Sequence, residues 1–96
     1  MKTSAEIETK LRDLKPILAN DFSVEKIGYF GSYSANEQNE QSDLDILVQF
    51  SQPIGWRFFT LEKFLEDQFG LKIDLVTYNA LKSQLKENIL NQVRFV

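Results

Sequence analysis

Apolar residues recur along this chain with two different periods, and the switches between them lay out its elements. Ile7, Leu11, Leu14 and Leu18 fall on one face of a helix, behind the capping-box pattern Thr3-Ser4-Ala5-Glu6. Pro16 lacks an N–H and predicts a kink or division near the last turn of that helix. Val24-Glu25-Lys26-Ile27-Gly28-Tyr29-Phe30 reads as a strand, and Leu44, Ile46, Val48 and Phe50 alternate as one face of a second. A second long helix is predicted from about Trp56 to Phe69, with Phe58, Leu61, Leu65 and Phe69 as its stripe and Gly70 as its stop. Lys72 to Thr77 forms a third strand, and a last helix from about Asn79 or Ala80 carries Leu81, Leu85 and Ile89 before the tail Val93-Arg94-Phe95-Val96.

Two connections carry their own signals. Gly31-Ser32 closes the first strand and is expected to open a short helix around Tyr33 to Ala35, with Tyr33 packed behind the turn. Asn36 to Ser42 has no apolar residue and predicts a solvated loop. Trp56 and Phe59 fall outside the stripe of their helix; the expectation is that they cover an edge of the small core, with a partner surface as the sharper alternative.

The alternation that sends Leu44, Ile46, Val48 and Phe50 inward leaves Asp43 and Asp45 together on the opposite face. Two residues along a strand span roughly 6.5–7 Å, short enough for both carboxylates to converge on one metal or on two neighbouring ions. Without a cation they repel. Asp74 interrupts a strand that otherwise reads as apolar on both faces, which predicts a buried acid that is paired, protonated or metal-bound. Free amides at a helix start attract phosphate, glycine allows close backbone approach, and the Ser32 hydroxyl adds a donor. A phosphate-holding turn beside an acidic metal site points to nucleotide and Mg²⁺ chemistry.

Composition narrows the chemistry further. Ninety-six residues, 43% of them hydrophobic, with eight phenylalanines, predict one domain over 1–96 with a modest core. The absence of cysteine and histidine excludes disulfides, thiolate nucleophiles, histidine bases and Cys/His zinc sites, so any base is a carboxylate. With 11 basic against 14 acidic residues and no basic cluster, direct nucleic-acid binding is disfavoured. The polar N-terminus and the lack of a long apolar run predict a cytoplasmic protein with no membrane association.

Tyr29-Phe30-Gly31-Ser32, then Ser42-Asp43-Leu44-Asp45-Ile46-Leu47-Val48 after a ten-residue gap between Ser32 and Asp43, then Lys72-Ile73-Asp74-Leu75-Val76-Thr77, resemble the nucleotidyltransferase superfamily that includes DNA polymerase beta. The likeness is greatest to its minimal nucleotidyltransferase (MNT) branch and spans nearly the whole chain. The resemblance implies an α+β fold with a small mixed three-stranded sheet flanked by about four helices. It implies transfer of a nucleoside monophosphate from a triphosphate to a hydroxyl, with two Mg²⁺ ions, or Mn²⁺, as cofactor. By the same resemblance Asp43 and Asp45 hold both metals, Asp74 binds the catalytic ion and helps activate the hydroxyl, and Gly31 and Ser32 bind the nucleotide.

Members of this branch are often encoded beside a HEPN-type ribonuclease toxin, so the resemblance implies an antitoxin that transfers AMP from ATP to a tyrosine of a HEPN partner. The rival expectation is a catalytically weak or inactive module of the same fold that neutralises its partner by contact. A sugar transferase using Asp-x-Asp would need a longer chain. One departure bears on turnover: the family usually continues Gly-Ser-x-Ala-Arg-Gly, whereas this chain reads Gly31-Ser32-Tyr33-Ser34-Ala35-Asn36. The missing arginine removes a charge-assisted phosphate contact worth about 1.5–3 kcal/mol. Arg57, Lys72 and Arg94 are the cations available to replace it. Nucleotide preference, acceptor and oligomeric state, homo-oligomer included, stay open at the level of sequence.

Overall fold

Thr3 caps the first helix as its pattern predicts. In the computed structural model, which describes residues 2–96, Glu6 N–H donates to Thr3 Oγ1 at 3.1 Å and Thr3 N–H donates to Glu6 Oε1 at 3.2 Å. Two donors otherwise left free at a helix start are thereby satisfied. Helix α1 runs Ser4–Phe22 and buries Ile7, Leu11, Leu14, Leu18 and Phe22. Pro16 lies inside it without dividing it, so of the kink or division expected the division does not occur; the apolar stripe continues on both sides of the ring and holds the helix together by packing.

Strand β1 (Val24–Phe30) pairs antiparallel with β2 (Leu44–Phe50), and β2 pairs parallel with β3 (Ile73–Thr77). Helix α2 (Arg57–Phe69) supplies the crossover between the two parallel strands and stops at Gly70, whose φ of 64° is the left-handed cap that glycine adopts without strain. Helix α3 (Ser83–Gln92) follows a 3₁₀ turn at Tyr78–Ala80 and leads into β4 (Arg94–Phe95). The fold is α+β.

Among the described residues the sheet has four strands in the order β3-β2-β1-β4, one more than the three expected. The added strand is the two-residue β4, which pairs Phe95 with Gly28 and Arg94 with Tyr29. Such a short segment has no periodicity to read. Its pairing depends on Gly28: a Cβ there would meet Arg94 O at 2.7 Å and Val93 Cγ2 at 2.9 Å. The described residues hold three α-helices rather than about four, because residues 33–35 form a turn and not a helix.

α1 and α2 share one face of the sheet. Their stripes meet Ile27 and Tyr29 of β1, Leu44, Ile46 and Val48 of β2, and Ile73 and Leu75 of β3 in one apolar cluster. Tyr29 donates its hydroxyl to Glu8 Oε1 at 2.5 Å, tying β1 to α1. The expected stripe of α3 has no such partner: the helix buries no residue and Leu85 is 53% exposed. Trp56 and Phe59 do not cover the core edge either. They are 86% and 57% exposed and stack on each other with ring centroids 5.9 Å apart. Trp56 is the N-cap of α2 and Phe59 lies in its first turn.

Candidate active site

The face of the sheet opposite α1 and α2 carries the acids. In β2 the strand alternation buries Leu44, Ile46 and Val48 and turns Asp45 to the other side. Asp45 is paired with Phe30 of β1 on one side and with Asp74 of β3 on the other. Parallel neighbours in register lie about 4.8 Å apart, so the two carboxylates meet side by side.

Their proximity shows in the chemistry of Asp45. Its carboxyl is pushed up from 3.8 to about 6, first by burial, then by the charge of Asp74, a hydrogen bond with the Asp74 side chain, and the charge of Asp43. Burial and like charge act in the same direction, against ionisation. Asp43 sits just before β2 and is exposed. Asp74 is exposed as well, which corrects the expectation of a buried acid. The reason is topological: among the described residues β3 is an edge strand with β2 as its one neighbour, and of its own residues only Ile73 and Leu75 turn into the core.

Gly31 completes the row. Its φ of 73° places it in the left-handed region. A Cβ on Gly31 would collide with Asp45 Oδ2 and come within 3.2 Å of its Cγ. The turn that follows is closed by Ala35 N–H donating to Gly31 O at 3.1 Å and Glu37 N–H donating to Ser32 O at 2.8 Å. Tyr33 is 1% exposed and packs into the core behind the turn, as expected. Asn36, where the family usually has glycine, keeps a left-handed φ of 59°, a conformation asparagine tolerates better than most residues.

The structure thus brings Gly31, Asp45 and Asp74 together, with Ser32 next in the chain and Asp43 contributing its charge. Two contributors escaped sequence reasoning. Ser34 donates its hydroxyl to Gly31 O at 2.9 Å, and Ser4 of α1 donates to Tyr33 O at 2.6 Å. Neither has a sequence signal, since both act across a turn or between distant segments. Of the cations considered, Arg57 lies over the Phe22 ring with 5.7 Å to its centroid, and Arg94 pairs with Tyr29. Lys72 precedes Ile73, the partner of Leu44, and its carbonyl accepts from Leu44 N–H at 3.0 Å, so its backbone borders Asp43.

Asp43 and Asp74 are exposed, and Asp45 is partly buried beside them. Grooves of about 410, 330 and 530 Å³ are lined by residues of α1 and α2, of the β2 and β3 ends, and of α3, none of them these acids. Among the described residues no three acidic groups close around a single point.

A mixed sheet with one face packed by two helices, and an aspartate pair on the other face under a glycine turn, is the layout of a nucleotidyltransferase domain. The chain belongs to that family, which matches residues 11–96, and it is a nucleotidyltransferase. Its relatives are proteins of the same small size. It is 45% identical over 98 residues to the Methanocaldococcus jannaschii protein MJ0128, with all of both chains covered. It is 43% identical over 97 residues to protein adenylyltransferase MntA of Thermococcus cleftensis, covering 100% of this chain and 98% of that one. Among solved structures it is similar to a chain of a toxin-antitoxin crystallised with AMP-PNP, with a TM-score of 0.71, 25% identity, and coverage of 98% of this chain and 72% of that one.

Proposed function

We propose that this chain is a metal-dependent adenylyltransferase that moves AMP from ATP to a tyrosine hydroxyl of a HEPN-domain toxin, acting in the cytoplasm as its antitoxin. The observation that carries the reading is the in-register Asp45–Asp74 pair with Gly31 packed against it. The adenylyltransferase name of the MntA relative and the AMP-PNP-containing toxin-antitoxin support the nucleotide and the kind of partner. The open setting of the acids fits an acceptor surface supplied by that partner.

The donor set fits magnesium. Asp43, Asp45 and Asp74 offer hard carboxylate oxygens and no nitrogen or sulfur, the ligand type of Mg²⁺ and Mn²⁺. The three do not close into a cage, but Mg²⁺ is commonly held by one or two carboxylates together with substrate phosphates. Asp43, Asp45 and Asp74 would hold up to two such ions, which when bound would supply neutralisation of phosphate charge and polarisation at phosphorus.

The chain's own groups have distinct tasks. The Gly31-Ser32 backbone and the Ser32 hydroxyl hold the phosphate tail. Asp74, beside Asp45, takes the proton of the attacking hydroxyl. The hydroxyl oxygen bonds to the α-phosphorus, the bond from that phosphorus to the oxygen bridging to the β-phosphate breaks, and pyrophosphate leaves with the electron pair.

Incubation with the cognate HEPN protein, Mg²⁺ and α-labelled ATP is expected to label the partner, and Asp43→Ala or Asp45→Ala to abolish the label. Undiminished labelling by those variants would overturn the reading. The rival, neutralisation by contact, is favoured by the exposed Trp56–Phe59 pair. It prevails if the Asp43→Ala, Asp45→Ala double variant still silences the toxin with no nucleotide present.

A further inference from the structure

The turn at Gly31 is held from behind. Gly31 O accepts both the Ala35 N–H at 3.1 Å and the Ser34 hydroxyl at 2.9 Å. In a trans peptide the C=O and the following N–H point in opposite directions. Fixing the Gly31 carbonyl inward therefore aims the Ser32 N–H outward. Among the described residues that N–H and the Ser32 hydroxyl have no hydrogen-bond partner.

A second anchor acts on the same turn. Ser4 Oγ, at the start of α1, donates to Tyr33 O at 2.6 Å, and by the same geometry this fixes the Ser34 N–H. The Tyr33 ring is 1% exposed and Ser34 6% exposed, and both anchoring hydrogen bonds are partly shielded from water. Position 35 is alanine, so the turn itself offers a phosphate only neutral donors. Neutral donors serve an anion best when their directions are set before it arrives.

We propose that Ser34 is a positioning residue for the phosphate tail of the nucleotide: its hydroxyl, through the Gly31 carbonyl, sets the direction of the Ser32 N–H and the seat of Gly31 against Asp45. The inference rests on the adenylyltransferase reading above. Ser4 reinforces the same turn from α1.

The test is isothermal titration calorimetry of Mg²⁺–ATP into the wild-type chain and the variants Ser34→Ala and Ser34→Thr, with thermal melting alongside. The bond lies within the protein, so its loss acts on binding through the lost pre-setting of the Ser32 N–H, and roughly fivefold weaker binding is expected for Ser34→Ala. In the labelling assay its KM for ATP rises by about the same factor while kcat stays unchanged, as loss of uniform binding requires. Ser34→Thr, which keeps the hydroxyl, restores affinity, an effect that a purely structural role would not produce. A dissociation constant for folded Ser34→Ala within twofold of wild type overturns the proposal, as does a folded Ser34→Thr no better than alanine. Should Ser34→Ala not fold, Ser4→Ala takes its place: weakened binding supports the proposal and unchanged binding overturns it. If the wild type itself does not bind Mg²⁺–ATP, the adenylyltransferase reading fails and takes this inference with it.

Discussion

Gly31 and Asp45 are packed so closely that the glycine's α-carbon has no room for a methyl group on the side facing the carboxylate. The Gly31 turn and the Asp45 carboxylate, whose pKa burial and neighbouring acids raise, thus form one unit, at the point where β1 ends and β2 begins.

Gly31→Ala strains that unit twice. A left-handed φ costs a residue with a Cβ roughly 1–2 kcal/mol, and the new methyl also displaces the Asp45 carboxylate. A melting temperature lower by about 5–10 °C is expected for a domain of this size, together with loss of label transfer. A variant that melts like wild type and transfers AMP normally would refute the packing.

The Asp45 carboxyl predicts a pH dependence in metal-free protein. Its pKa lies higher in the folded chain, about 6, than the ordinary 3.8. The folded state therefore holds the proton more tightly, and this group lowers stability as pH rises from 3.8 to about 6, with the full penalty remaining above that window. Asp45→Asn removes the ionisation. In EDTA it is expected to melt higher than wild type at pH 7.5 and to show little gain near the acid end of the window. Equal gains at both ends would point to packing rather than charge.

Divalent metal and nucleotide are expected to relieve the same repulsion. A ligand at a hundred times its dissociation constant stabilises by about 2.7 kcal/mol. Millimolar Mg²⁺ with saturating ATP should raise the melting temperature of wild type clearly, and much less so in Asp45→Ala or Asp74→Ala. A melting curve indifferent to Mg²⁺, Mn²⁺ and ATP would count against Asp43, Asp45 and Asp74 as metal ligands.

Trp56 and Phe59 make almost no contribution to the core, so Trp56→Ser is expected to leave stability within about 0.5 kcal/mol. If the pair docks the partner, the same variant weakens toxin binding by at least tenfold, the scale of a buried aromatic anchor. Surface plasmon resonance against the HEPN protein reads this directly, and unchanged affinity assigns the pair no part in docking.

Much of this was legible in the residues. The capping box at Thr3 and Glu6, the stripes of α1 and α2, the alternation in β2 and the stop at Gly70 were all read from local pattern, because local propensity and periodicity agree with the final packing there. Where a segment had a helical period but no layer to pack against, as at Leu81, Leu85 and Ile89, periodicity misled about burial. The short helix expected at Tyr33 to Ala35 failed for a related reason: hydrogen bonds to the Gly31 and Ser32 carbonyls close a turn that no propensity encodes.

The sequence by itself determined the order of elements, the turn of Asp45 away from the apolar face of β2, and the family, because strand alternation and motif spacing are properties of the chain taken locally. Only the tertiary structure decided that Asp74 stands in register with Asp45 on an exposed edge, that Gly31 seats against that acid, that β4 joins the sheet, and that Ser34 and Ser4 hold the turn. Each of these depends on which distant segments become neighbours, and that follows from the burial of the whole apolar cluster rather than from any short stretch of residues.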